Sequence, residues 1–295
     1  MNSASTGFFK YAEHRRISET MLLFRSHFLG MMISALIMLG APILGSASPC
    51  DRDDFESQVS GASQCLLMKR YGTASPKGMV IWLHGDLSSG APANYHFALA
   101  EKTAQLYSAR EVMAIAIVRP GYPDGSGRSS SVDSFQAGRS DHYTRENILE
   151  IAGAITHLRK KFSPDHVILV GHSGGAAISA VIAGMQPGLI DALVLVACPC
   201  DLARWRLGRR EWTRSESPSA WIDKVPVTTR IFALTGGKDN NTSPELADIY
   251  TKGQRTRGLD ATFEMIPDAT HNSAIRAAPV FHAIARALDR TEKSR

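Results

Sequence analysis

From Lys77 onward, short apolar runs alternate with longer amphipathic stretches. The apolar runs are Met79–Leu83, Val112–Val118, His166–Val170, Ile190–Ala197, Arg230–Leu234 and Ala261–Ile266. Most are hydrophobic at nearly every position, as strands covered on both faces of a parallel sheet are. Between them the period changes to that of a helix. In Tyr143–Phe162 the residues Ile148, Ile151, Ala152, Ile155, Leu158 and Phe162 recur at three- and four-residue steps. Weaker versions occupy Asn94–Ala109, Gly174–Met185, Pro244–Gly258 and Pro279–Leu288. The alternation predicts an α/β fold: a mostly parallel, doubly wound sheet with helices on both faces. Cys198–Pro226 breaks the rhythm. It holds Trp205, Trp212 and Trp221 with Arg204, Arg206, Arg209, Arg210 and Arg214. Its length predicts an insertion over the sheet edge, either a solvated excursion above packed tryptophans or a short lid over a substrate.

The first 48 residues follow a different pattern. Phe28–Leu44 is apolar and uncharged, Arg25 precedes it, and Gly45, Ser46, Ala47 and Ser48 follow it. Basic flank, hydrophobic centre and small-residue exit describe a secretory signal peptide, with Met21 as a more compact start. The alternative is an uncleaved N-terminal anchor; Gly30, Gly40 and Pro42 interrupt the run and favour cleavage. Residues 49–295 then form one domain. Removing residues 1–48 takes four basic and two acidic residues from a +5 chain and leaves +3 over 247 residues. That balance, with no clustered basic stripe, argues against a nucleic-acid partner. All four cysteines, Cys50, Cys65, Cys198 and Cys200, lie after the leader. In an exported protein an even count points to disulfides. Cys50–Cys65 is the first expectation. Cys198 and Cys200 stand too near for a relaxed bridge, a strained one is open, and pairing between the two groups is open too. Zinc fits poorly, because no second Cys or His pair stands at ligand spacing.

The candidate chemistry begins at Gly171-His172-Ser173-Gly174-Gly175, a G-x-S-x-G match between a strand and a small-residue helix. Strand, tight turn and helix are what a nucleophile elbow requires. A helix start also offers free N–H groups to a developing anion. Serine needs a base to take its proton and an acid to orient that base. Two histidines follow Ser173: His271 just past the last strand, and His282 within a helical pattern. His271 is therefore the candidate base. Asp239, just past the strand Arg230–Leu234, is the candidate acid, and Asp268 is the fallback. Both Asp239 and His271 stand at carboxyl ends of strands, where sites of open α/β sheets gather. For the oxyanion, the N–H of Gly174 is one candidate donor and that of Asp86 the other, with Leu87 next. His84 reads as a buttress of that loop.

With His84-Gly85, the elbow at Ser173, the acid at Asp239 and the base at His271 in this order, the chain resembles the α/β-hydrolase superfamily over roughly Lys77–Leu288. Within it the chain looks most like the esterase, dienelactone-hydrolase and prolyl-oligopeptidase-like group. The resemblance implies an α/β-hydrolase fold and an exported serine hydrolase of a small-molecule ester, thioester or amide, with no metal or organic cofactor. A carboxylic ester is the leading substrate class. An acyltransferase, an aminopeptidase-like enzyme and a non-catalytic binding protein are the alternatives. Two features depart from the family pattern. Asp86 sets a carboxylate beside the oxyanion turn, so its side chain must point away or be paired. Cys198–Pro226 is shorter than a full cap domain. Its arginines also suggest attraction of anionic substrates, or contact with an anionic membrane surface.

Overall fold

The sheet is assembled around the most continuously apolar runs. The computed structural model describes residues 50–51, 53–131 and 141–289. The chain divides into units at residues 1–45 and 46–295, and all described residues belong to the second. The reading of residues 1–48 as signal peptide or anchor falls outside the described residues. Among those described, no helix is long and apolar enough to cross a membrane.

The strands are β1 (Gln58–Ser60), β2 (Cys65–Gly72), β3 (Gly78–Leu83), β4 (Val112–Ile117), β5 (His166–His172), β6 (Ala192–Val196), β7 (Arg230–Gly236) and β8 (Ala261–Ile266). They lie in the order β1-β2-β4-β3-β5-β6-β7-β8. β3 to β8 run parallel, while β2 pairs antiparallel with β4 and β1 antiparallel with β2. The six runs after Lys77 supply the parallel strands, and β1 and β2 are additions that the apolar pattern did not reveal. β2 carries Lys69 and Arg70 and alternates in burial, so it lacks the continuous signal of a strand covered on both faces.

Successive side chains of each central strand enter opposite layers. Met79, Ile81 and Leu83 join the core shared with α2 (Arg145–Phe162), α3 (Gly174–Met185) and α5 (Pro244–Thr256). Val80 and Trp82 join the core on the other side, with α1 (Phe97–Leu106) and α7 (Ala278–Leu288). This is the doubly wound arrangement that the sequence predicts.

The segment after β6 is not an edge insertion. β6 lies between β5 and β7, so the excursion rises from the carboxyl end of an interior strand. It holds one helical turn, α4 (Leu202–Trp205), and a 3₁₀ stretch at Pro218–Lys224. The latter packs so closely on α3 that a Cβ at Gly184 would stand 2.9 Å from that of Trp221. The bridge Cys198–Cys200 closes at its root, although the sequence left that pairing open. The Asp141 carboxylate accepts the consecutive amides of Thr213, Arg214 and Ser215 at 2.9–3.1 Å. The amide of Tyr143 donates to Ser215 Oγ at 3.0 Å, and that of Glu216 donates to the Tyr143 carbonyl at 2.9 Å. The excursion is thus tied to the residues that lead into α2.

At the β1 edge of the sheet, the Cys50–Cys65 bridge and the buried Glu150 hold the β1–β2 hairpin. Glu150 accepts the amides of Ser63 and Gln64, both at 2.9 Å, and the Ser63 hydroxyl at 2.6 Å. Glu150→Ala leaves those donors without an acceptor. We expect a loss of about 2–3 kcal/mol in unfolding free energy, read by urea denaturation; a midpoint equal to wild type would contradict this account of the hairpin.

Candidate active site

β5 ends at His172, and the chain reverses at Ser173 into α3. Ser173 takes φ 52° and ψ −118°, a conformation costly for any side-chain-bearing residue. The neighbouring glycines make the reversal possible. A Cβ at Gly171 would lie 2.5 Å from Ala176 backbone, and one at Gly175 would lie 2.5 Å from the carbonyls of Leu83 and His84. Only hydrogen fits at either place. A Cβ at Gly174 would meet Tyr143 Oη at 2.5 Å and Asp86 Oδ1 at 2.7 Å, so a larger residue there would displace side chains that come from far away in sequence.

Two other strand ends bring partners to this turn. Past β8, the short helix α6 (His271–Ala274) starts with His271, and its Nε2 lies 3.0 Å from Ser173 Oγ. Past β7, Asp239 Oδ2 lies 2.9 Å from His271 Nδ1. The Asp239 carboxylate also accepts the amides of Asn241 and Thr242, each at 2.9 Å, and the Thr242 hydroxyl at 2.7 Å. Burial alone would push this carboxyl up, but the bonds from His271 and Thr242 outweigh burial and hold it below the ordinary carboxylate value. Asp239 is therefore an anion in contact with an imidazole, which is in contact with a hydroxyl. Asp268, the fallback acid, is exposed and pairs with Lys238 at 2.9 Å. His282 is exposed on α7.

The loop after β3 lies against the same turn. His84 is fully buried; its Nδ1 meets the Gly85 carbonyl at 2.7 Å and its Nε2 accepts the Arg119 amide at 3.0 Å. The Gly85 amide donates to Tyr95 Oη at 2.7 Å. The next amide, that of Asp86, has no backbone acceptor among the described residues. Gly174 opens α3, so its amide has no carbonyl one turn back. The Asp86 side chain is paired. Oδ1 accepts from Arg119 Nη1 at 3.0 Å and from Tyr122 Oη at 3.1 Å, and Oδ2 accepts from Tyr143 Oη at 2.6 Å. Arg119 is 1% exposed and Asp86 partly so, and the pair is a half-buried one that faces the cleft from the Asp86 side. These three partners lay outside the sequence reading. Arg119 did leave a trace, since it follows the run Val112–Val118 at a strand's carboxyl end.

Tyr95 and His172 complete the frame. Tyr95 Oη donates to His172 Nδ1 at 2.7 Å, and His172 Nε2 donates to the His271 carbonyl at 2.9 Å. A carbonyl cannot donate, so Nε2 carries the hydrogen and Nδ1 accepts. The chain of bonds runs from the Gly85 amide, through Tyr95 and His172, to the backbone of His271. It links the loop after β3 to the residue that faces Ser173. The cleft above has a volume of about 590 Å³, with Ser173 and His271 in its lining and Trp205 and Trp212 from the excursion on one wall. Among the described residues, no group of three or more His, Cys, Asp or Glu is placed to hold a metal ion.

A family model for the alpha/beta hydrolase family matches residues 80–239, just over half of the chain. The chain belongs to the alpha/beta hydrolase family. The match includes Ser173 and Asp239 and stops before His271, which the hydrolase fold brings back to the same rim. No curated protein matches the chain by sequence. Solved structures resemble it in fold. An acylaminoacyl peptidase of Pyrococcus horikoshii is 11% identical with a TM-score of 0.60, over 81% of this chain and 42% of that one. An esterase of Pyrococcus furiosus is 13% identical at 0.58, over 78% and 90%. Est1E of Butyrivibrio proteoclasticus is 14% identical at 0.58, over 79% and 98%. The chain therefore spans less than half of the peptidase chain and most of the Pyrococcus furiosus esterase and of Est1E.

Burial lowers the His172 pKa from 6.5 to about 4, against the opposing bond to the His271 carbonyl. Burial also takes His96 down, to about 3. With folded values below the unfolded one, the unfolded chain takes up protons first as pH falls. Stability should thus be full above about pH 6.5 and decline towards about pH 4, by an amount on the order of 3 kcal/mol for His172. Asp239 acts separately, losing its contribution only as pH falls below 3.8. Urea midpoints across this range should drop, and the slope should lessen in His172→Asn. A flat midpoint in the native protein would rule out a buried neutral His172.

Proposed function

We propose that this hydrolase is an exported enzyme that cleaves a carboxylic ester through an acyl-enzyme on Ser173. The observation that carries the reading is the unbroken series from Ser173 Oγ to His271 at 3.0 Å and from His271 to Asp239 at 2.9 Å. Ser173 Oγ attacks the ester carbonyl carbon while His271 Nε2 takes its proton. Asp239 accepts the Nδ1 hydrogen, fixes the ring and stabilises the imidazolium. The amides of Asp86 and Gly174 hold the oxyanion, each such donor being worth about 10²–10³ in rate in comparable sites. The carbonyl re-forms, the bond to the alkoxide oxygen breaks, and His271 hands its proton to the departing alcohol. Water, deprotonated by His271, then attacks the acyl carbon and releases the acid with Ser173 restored.

Export is supported by the two disulfides, which persist in oxidising compartments, and by the leader-like pattern of residues 1–48. A second reading is favoured by the likeness to an acylaminoacyl peptidase. There the acyl donor is an aminoacyl amide, or the acceptor is an amine or alcohol rather than water.

Fluorophosphonate should label Ser173, and Ser173→Ala should abolish both labelling and ester turnover. Asp239→Asn should lower kcat by about 10³–10⁴-fold, the loss expected when the imidazole is no longer held in the productive tautomer. Asp268→Asn should leave turnover unchanged. Normal turnover by Ser173→Ala would end the proposal. Turnover of aminoacyl amides above esters would select the second reading. Ligand-induced thermal stabilisation without turnover of either would mark a binding protein.

A further inference from the structure

The mouth of the cleft carries cations without counter-ions. Of the five arginines in the excursion, the structure brings only Arg206 and Arg209 to the cleft, and it adds Arg276 from beyond α6 on the side of His271. Arg204 is instead near Asp201, at 3.7 Å. Arg206 is held in place: its guanidinium stacks on Trp205 and Trp212 at 5.4 and 5.3 Å, and its Nε donates to the Arg210 carbonyl at 3.0 Å. Arg276 lies over the Tyr95 ring at 5.6 Å and donates through Nη1 to the Asn272 carbonyl at 3.0 Å. Arg209 is exposed. Among the described residues, none of these three guanidinium groups pairs with a carboxylate.

The cleft lining includes one carboxylate, Asp86, and that group is already neutralised from behind by Arg119 with two tyrosine hydroxyls. Apart from the arginines, the remaining ionisable lining residues are Tyr95, whose hydroxyl burial holds neutral, His172, whose pKa burial lowers, and His271, which faces Ser173. A substrate entering the cleft thus meets a net positive field set by arginines from two separate segments, the excursion and the turn after α6, in a lining that also holds Trp205, Trp212 and Tyr95. Such a field raises the local concentration and capture rate of anions. Guanidinium forks match carboxylate and phosphate oxygens in pairs.

We infer that the preferred substrate is an ester carrying a carboxylate or phosphate group beyond the scissile carbonyl, seated by Arg206, Arg209 and Arg276. This deepens the ester-hydrolase reading and rests on it for the chemistry, but the anion site itself does not need turnover to be seen. The same anion could be presented by a soluble ester or by a phospholipid headgroup.

The test compares two nitrophenyl esters of equal chain length, the glutarate with its free terminal carboxylate and the neutral pentanoate. The ratio of their kcat/KM values should favour the glutarate by about tenfold or more at low salt, and should fall as ionic strength rises towards about 0.5 M. Arg209→Gln combined with Arg276→Gln should lower that ratio by about tenfold, and Arg209→Glu should lower it further. Calorimetric binding of glutarate and of inorganic phosphate to Ser173→Ala should weaken in parallel when the same arginines are replaced. Faster release of fatty acid from phosphatidylglycerol than from phosphatidylcholine vesicles would assign the anion to a lipid; turnover confined to the soluble glutarate would assign it to a free ester. A glutarate-to-pentanoate ratio of one or less, or a ratio that ignores the arginine substitutions, overturns the inference and leaves the hydrolase reading standing. Arginine-dependent anion binding without ester turnover or fluorophosphonate labelling does the reverse.

Discussion

Hydrogen is the largest substituent that fits at positions 171 and 175, and the geometry at Ser173 follows from that. With carbonyls of β3 and the first turn of α3 standing 2.5 Å from where side chains would begin, the chain can leave β5 and fold back at once. That reversal forces Ser173 to a positive φ. It also brings the first amide of α3 beside the loop after β3, so the hydroxyl and the free N–H groups are set by one backbone event. The unfavourable conformation is sustained because β5 is buried between both cores and α3 is buried in one of them.

A carboxylate next to the proposed oxyanion donors would oppose the charge that forms there. In this protein Asp86 has become a structural anion. Its oxygens collect Arg119 and Tyr122 from the turn after β4 and Tyr143 from the approach to α2. That cluster crowds Gly174, and a side chain there would push Tyr143 and Asp86 aside. Tyr143 in turn is bonded to the excursion through Ser215 and Glu216, so the wall of the cleft and the loop beneath it share a support. The excursion is a pinned wall, and the three amides around Asp141 are the pin.

The relay from Gly85 through Tyr95 and His172 gives the residue before Ser173 its own task. His172 stays neutral because burial disfavours its charge, and only a neutral ring can accept from Tyr95 while donating to the His271 carbonyl. The loop after β3, the turn at Ser173 and the backbone of His271 are therefore coupled through hydrogen bonds, each of which fixes the direction of the next.

The sequence by itself determined the central sheet, the strand–turn–helix at Ser173, and the strand ends that carry Asp239 and His271. These are legible because continuous apolar runs, helical periods and glycine spacing are local consequences of burial and backbone sterics. It did not disclose β1 and β2, whose half-exposed strands leave a weak pattern, nor the seat of the excursion on an interior strand. Tertiary structure alone decided which partners neutralise Asp86, which histidine links the two loops, and which arginines face the cleft. Arg119 and Arg276 are ordinary basic residues in sequence, and only the crossing order of the strands brings one beneath the loop after β3 and the other into the same cleft lining as Arg209. Such pairings join residues dozens of positions apart, and no local pattern of hydrophobicity records them.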